Sequence, residues 1–454
     1  MDRAERLARY ADELSYQDLD QETINAVKLR LIDAIACAFA AMPEDSIKNR
    51  ILPFLRGRPG DEARIIGGGA TGVESATLAN STLIRYVDWN DAYQLRGMGG
   101  HPSDNFGSVL SVADMVGASG HDVILAAVLG YEIQCQMGDR TLPWHVDGLD
   151  HTTYGLLSSA LSTGKLLGLT QQQMVEAMSM AMNNLPLRLI RNGEISDFKG
   201  MAFGNAARNA VWASLLAQAG VTGPKPIFEG KDGFIDLLTQ SDIEIDIESF
   251  GGRGNTFKIH DTSLKPHACW YHGQSPVDAA LDVHHRHQVA PADIVTVKSE
   301  TYEAVMEKLD NEKWNPGTRG SADHSVPWLI AHTLITGESP RPHHYRDSLM
   351  TPEIASLMEK IEMTEDTSFT AAYGLQVPHR LTVTTTDGSV YESYVQSPKG
   401  HPGTPMPIVE VEDKFRSQYT IAHQGNGDDL LEWLWALDEQ PSLDGLFQMA
   451  QLDR

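Results

Sequence analysis

Cysteine is scarce in this chain, with Cys37, Cys135 and Cys269 the only three in 454 residues. Their wide separation matches neither the Cys-x-x-Cys spacing of zinc sites nor a disulfide framework, and it suits a reducing, cytosol-like compartment. Long apolar runs are missing too: nothing approaches the ~20 residues that a transmembrane helix needs. The opening MDRAERLARYADELSYQDLDQET mixes acids and bases without an apolar signal core. A soluble, untargeted, cytoplasmic protein is therefore expected. Positive charge is in deficit: Lys and Arg number 36 against 61 Asp and Glu, a formal net charge of −25. A field of that sign repels nucleic acid and anionic lipid, so neither is an expected partner. Several catalytic signatures are absent as well. IIGGGATG (65–72) has no following Lys-Ser/Thr and so forms no phosphate loop, and there is neither His-Glu-x-x-His nor Gly-x-Ser-x-Gly. HHRH (284–287) sits where a helix meets a polar turn and reads as a solvated cluster, so no metal site is expected.

The length suggests two or three domains, and 41% hydrophobic with 21% charged residues describes a folded chain. To about residue 250 the text runs in helical periods. Asp20 caps a segment in which Ile24, Val27, Leu31 and Ile35 recur at three- and four-residue spacing. The same period covers 77–89, 105–118, 122–138, 155–168, 171–184 and 204–220, several of them rich in Ala, Gly and Ser. Small residues let helices approach closely, which predicts a layered all-α domain. Near 260 the texture changes. DIVTVKSET (293–301) alternates β-branched residues, and HRLTVTTTDGSVYESYVQS (379–397) holds two such runs about Asp387-Gly388, a hairpin signal. SVPWLIAHTLITG (325–337) and TPEIASLMEKIEM (351–363) read as helices between them, and EVEDKFRSQYT and DDLLEWLWALDEQ return to helix after the break at 399–407. The expected fold is mainly α: a large helical domain formed by both chain ends (1–262 and 398–454) and a smaller α+β lid (263–397).

Five polar strings lie beside glycines or at helix starts. VDWNDAYQLRGMGGHPSDN (87–105) joins acids, Arg96 and a Gly-rich turn to His101-Pro102-Ser103, where Pro102 opens a helix whose free N–H groups favour an anion. GLDHTTYG (148–155) puts His151 before an apolar helix, and 188–209 gathers Arg188, Arg191, Lys199 and Arg208 in an otherwise acidic chain. LKPHACWYHGQSPVDAA (264–280) carries Lys265, His267, His272 and Gln274 where the domains meet, the usual place for a small-molecule cleft. SADHSVPWL (321–329) offers Asp323, His324 and Ser325, whose adjacency in sequence is not a serine-protease triad. The plain alternatives are a capped turn with a surface histidine for the first two strings and a solvated basic face for the third.

On these residues the chain resembles the MmgE/PrpD family: DWND (88–91) before HPSDN (101–105), GLDH (148–151), Lys199-Gly200, YHGQS (271–275), ADHS (322–325), KGHP (399–402) and EDKF (412–415) occur in order over nearly the whole length. That family contains 2-methylcitrate dehydratase, cis-aconitate decarboxylase and iminodisuccinate epimerase. The resemblance implies a homodimer without metal or organic cofactor, with a di- or tricarboxylate bound between the domains. It also implies loss of a proton next to a carboxylate. That chemistry needs a base, cations for the developing dianion and an acid for a leaving hydroxyl. By the same resemblance His101 and His151 form the base and acid pair, Asp91 orients a histidine, and Lys199 neutralises carboxylate or donates a proton. Arg96 and Lys265 are expected as carboxylate clamps by charge and position, with Ser103, His272 and Gln274 also binding substrate.

YHGQS and SPKGHP resemble the dehydratase-type members, which favours a hydro-lyase such as 2-methylcitrate dehydratase. The chain departs from the family pattern at Trp328, which stands where a tyrosine is usual, and around 264, where Phe-Pro is missing. Epimerisation or decarboxylation in the same site is the alternative reaction. A non-catalytic anion-binding protein and a structural scaffold are the alternatives of another class. His101, Asp91, His151 and Lys199 together speak against binding alone, which needs cations but no orienting acid.

Overall fold

Asp20 starts the first long helix as the sequence predicts, its carboxylate accepting from the Thr23 N–H at 2.7 Å. A cap of this kind is worth about 1 kcal/mol. The structure, a computed structural model, describes residues 1–94, 100–140, 148–191, 195–235, 244–346 and 349–452. Its first part comprises α1 (Arg3–Glu13), α2 (Gln21–Ala41), α3 (Leu52–Arg56), α4 (Val73–Arg85), α5 (Phe106–Val116), α6 (Gly120–Arg140), α7 (Thr153–Leu166), α8 (Gln171–Met182) and α9 (Asp197–Gln218). A minimal antiparallel ladder of β1 (Ala63–Arg64) and β2 (Ala70–Thr71) precedes α4.

The small residues act as expected. α4 packs against α5 and α9, and α7 against α6, α8 and α9. At Gly107 a Cβ would lie 2.3 Å from the backbone nitrogen of Ser81, so only glycine permits this approach of α5 to α4. α2 is buried nearly all round, with Ala34, Ala36, Cys37, Ala38 and Phe39 fully enclosed, the mark of a helix inside a core.

From 274 onward the chain mixes helix and strand: α10 (Gln274–His287), β3 (Ile294–Thr301), α11 (Val326–Thr336), α12 (Pro352–Met358), β4 (Ile361–Glu365), β5 (His379–Thr385) and β6 (Val390–Val395). The strands form one sheet in the order β4-β3-β5-β6, with β3–β4 parallel and the other pairs antiparallel. Asp387-Gly388 makes the expected hairpin, Gly388 taking a φ of +83°. α10 packs on β5 and β6 and also against α11. One expectation fails here. The helix expected over 351–363 stops at Met358, and Ile361-Glu362-Met363 joins β3 as a parallel strand. A short apolar run fits either period, and the β3 ladder decides it.

α13 (Ile408–Ala422), α14 (Asp428–Trp435) and α15 (Asp444–Met449) close the chain, α13 and α14 lying against α2. The fold is mainly α with a small α+β part. Among the described residues no helix is long and apolar enough to cross a membrane.

Candidate active site

α4 ends at Arg85, and three residues later Asp88 turns the chain with a φ of +51°, a left-handed conformation that costs a non-glycine residue about 1 kcal/mol or more. Cations from three segments hold it there. Lys199, in the first turn of α9, places Nζ 2.5 Å from one carboxylate oxygen, and the Arg85 guanidinium lies 3.0 Å from the same atom. Lys265 donates to the other oxygen at 2.7 Å and to the Asp88 carbonyl at 2.5 Å. Asp88 is 1% exposed and Lys265 fully buried. Burial alone would raise the Asp88 carboxyl, but the charges of Arg85, Lys199 and Lys265 outweigh it and hold the group well below the usual carboxylate range.

His101 stands beside this cluster, its Nε2 3.9 Å from Asp88. Its Nδ1 lies 2.6 Å from the Asp91 carbonyl, an atom that only accepts, so Nδ1 carries the hydrogen and Nε2 keeps its lone pair on the cavity side. Burial first, then the charges of Arg85 and Lys265, push the ring well below the ordinary histidine pKa. It is a neutral base at physiological pH. His151 packs edge-on against it at 5.8 Å between centroids and gives its Nδ1 hydrogen to Asp150 at 3.0 Å. Gly100, at a φ of +70°, makes room, because a Cβ there would sit 2.2 Å from the His151 ring. On the far side of Lys199, His324 brings Nε2 to 3.4 Å from Nζ.

Arg85, Asp88, His101, His151, Lys199 and His324 line a cavity of about 330 Å³ shared with Arg188, Lys308, Lys313, Asp150, Glu307, Asp310, Trp270 and Tyr271. Among the described residues its walls carry five Lys or Arg side chains against four carboxylates, in a chain of net charge −25. Four helices, α5 through its leading turn Pro102–Asn105, α7, α9 and α11, begin beside it, and their N-terminal ends favour negative charge. The arrangement suits an anionic ligand, a neutral imidazole base and an ammonium acid. Among the described residues no three His, Cys, Asp or Glu side chains are grouped to hold a metal ion.

The sequence-derived candidates fall into two groups. His101, His151, Lys199 and His272 reach the cavity; His272 is 2.6 Å from the Tyr302 hydroxyl, and its ring is held well below the ordinary histidine value by burial, then by Lys308. Asp91 meets His101 through its carbonyl rather than its carboxylate, which instead accepts from the Ser103 N–H at 3.0 Å. Ser103, Lys265 and Gln274 are not wall residues. Ser103 accepts from Asn90, Lys265 is committed to Asp88, and Gln274 staples the loop at His267 and Cys269. Arg96 lies outside the described residues. Trp328 is also withdrawn from the cavity, its indole N–H donating to the Leu349 carbonyl and its ring stacked on His332.

Sequence reasoning passed over Asp88, although it stands in the same DWND string as Asp91. It gave Arg85 no role, despite the i, i+3 spacing that pairs it with Asp88. Lys308 and Lys313 carried no local signal, since each belongs to an ordinary polar stretch.

Comparison with known proteins completes the description. The pattern of the MmgE/PrpD N-terminal domain matches residues 5–246, and that of the MmgE/PrpD C-terminal domain matches residues 267–430. The alkylcitrate dehydratase phiI of a fungal species is 28% identical over 444 residues, covering 88% of this chain and 84% of the relative. The 2-methylcitrate dehydratase of Cupriavidus necator is 27% identical over 419 residues (85% and 84%). That of Escherichia coli K12 is 27% identical over 433 residues (89% and 87%).

Proposed function

The chain belongs to the MmgE/PrpD family, and from that premise we propose that its cavity dehydrates a hydroxylated tricarboxylate, 2-methylcitrate or a close analogue, without metal or organic cofactor. The observation that carries this is the neutral His101, fixed by the Asp91 carbonyl and placed in one cationic cavity with the Lys199 ammonium. Relatives named 2-methylcitrate and alkylcitrate dehydratase support the choice of substrate.

In this reading Arg188, Lys308 and Lys313 receive the substrate carboxylates. His101 Nε2 takes the proton from the carbon next to a carboxylate. The freed electron pair forms the C=C bond as the neighbouring C–O bond breaks, and the departing oxygen takes a proton from Lys199 to leave as water. Each proton transfer by a positioned group is worth about 10²–10⁴-fold in rate. His151, backed by Asp150, packs edge-on against the His101 ring and holds it in the orientation that presents Nε2 to the substrate.

The test follows ultraviolet absorbance of chelator-treated enzyme with 2-methylcitrate, citrate and cis-aconitate, because elimination creates an absorbing conjugated bond and hydration removes it. A rise with 2-methylcitrate that survives the chelator is expected. A flat trace would overturn the dehydratase reading in favour of epimerisation or decarboxylation. If these acids raised the melting temperature and remained unchanged, anion binding would replace it.

A further inference from the structure

His324 lines the cavity with Asp323 at its Nδ1, yet the elimination just described gives the pair nothing to do. Its construction is tight. Arg319 holds one Asp323 oxygen at 2.9 Å, and Arg319 is itself fixed by stacking on Tyr86 at 5.0 Å and by Glu44 at 3.7 Å. The other Asp323 oxygen takes the Nδ1 hydrogen of His324. Trp270 covers the ring at 5.4 Å. Burial, then Lys199, pushes the imidazole down to about 4, so the ring is neutral and its Nε2 carries a lone pair. A lysine ammonium only donates, and Nε2 lies 3.4 Å from Lys199 Nζ, so the hydrogen between them belongs to the lysine.

We propose that His324 is a positioning residue: its Nε2 accepts one Lys199 hydrogen while Asp88 accepts another, and together they fix the direction in which the ammonium delivers its proton. Each acceptor holds one N–H direction, so two of them resist rotation about the Cε–Nζ bond more strongly than Asp88 alone. Asp323 and Arg319 act one step further out, setting the tautomer that makes Nε2 an acceptor. The motif Ala-Asp-His-Ser thereby acquires a role that needs no nucleophile. The inference rests on the hydro-lyase reading, in which Lys199 gives its proton to the leaving oxygen.

A change of leaving group separates this role from a structural one. Fluoride departs without needing a proton, so the analogue with fluoride in place of the hydroxyl bypasses the acid but still requires His101. His324→Leu and His324→Asn are expected to lose about 10²-fold in kcat with 2-methylcitrate, with KM little changed, and only a few-fold in fluoride release. His324→Gln, whose amide oxygen falls near the lost Nε2, is expected to keep activity within about tenfold of the parent. Equal losses for both leaving groups, no loss for either, or a Gln variant as impaired as Leu would overturn the assignment. A parent enzyme inert toward both compounds would overturn the hydro-lyase reading itself, a result distinct from any of these.

Discussion

Asparagine in place of Asp88 would keep the side chain's size and remove its charge, leaving Arg85, Lys199 and Lys265 gathered around a neutral amide. All four groups are buried, and removing one partner of a buried charge cluster costs about 3–5 kcal/mol because the remaining charges stay uncompensated. Asp88→Asn is therefore expected to lower the melting temperature by several degrees and the turnover with it. Asp91→Asn should be milder, because burial already raises the Asp91 carboxyl and so disfavours its charge, and because His101 is held by its main-chain carbonyl. Differential scanning calorimetry of the two variants checks the order; an equal or reversed effect would contradict it. The contrast also shows where sequence reasoning reaches its limit. The string DWND displays two acids beside a Gly-rich turn, but only the left-handed φ of the first turns its carboxylate toward lysines 111 and 177 residues away.

The elements matter because they deliver that strained turn. Trp89, the next residue, is fully buried with Lys414 of α13 over its ring at 4.4 Å and the guanidinium of Arg341, from the segment after α11, at 4.8 Å. Lys414 also donates to the Trp89 carbonyl at 2.8 Å and to Asp33 of α2 at 2.7 Å. The returning helix thus ties Trp89, the residue after Asp88, to α2. Lys414→Met would break both bonds and strand Asp33, so stability and turnover should fall together. Adding Asp33→Leu removes the stranded charge, and the double variant should regain stability while turnover stays at least about tenfold low. Full recovery of turnover in the double variant would mean that Lys414 serves folding only. Most helices are legible from their period, and the cap at Asp20 as well; the cap at Ser325, which accepts from the Trp328 N–H, is seen only in the structure. The strand at 361–365 was not, since its pairing with β3 is a long-range fact. Ser103 and Gln274 stand outside the cavity lining for a similar reason: polar side chains in a promising string can be consumed by the loop that carries them.

Taken over the whole molecule, the same burial that keeps His101 neutral recurs at other histidines and gives the fold a pH limit. Burial pushes His332 and His379 down to about 3, while His324 lies at about 4. Their unfolded-state value is about 6.5. Above that value both states bind no proton and the full stability is present. As the pH falls below it the unfolded chain takes up protons that the folded chain refuses, so stability drops until the folded values are reached, by about 1.4 kcal/mol per pH unit for each such group. Loss should therefore begin in the histidine range, before the paired carboxylates titrate. Lowering the pH also relieves repulsion within a chain of net charge −25, which opposes this trend but does not depend on any one histidine. His379 isolates the effect, because it is fully buried in β5, its Nε2 lies 3.4 Å from the Ser299 hydroxyl, and it takes no part in the cavity. In urea unfolding between pH 6 and 4.5, His379→Leu should show a slope against pH shallower than the parent by about 1.4 kcal/mol per unit, with dehydratase activity retained. Parallel slopes would show that this histidine binds its proton as readily in the folded protein as in the unfolded chain.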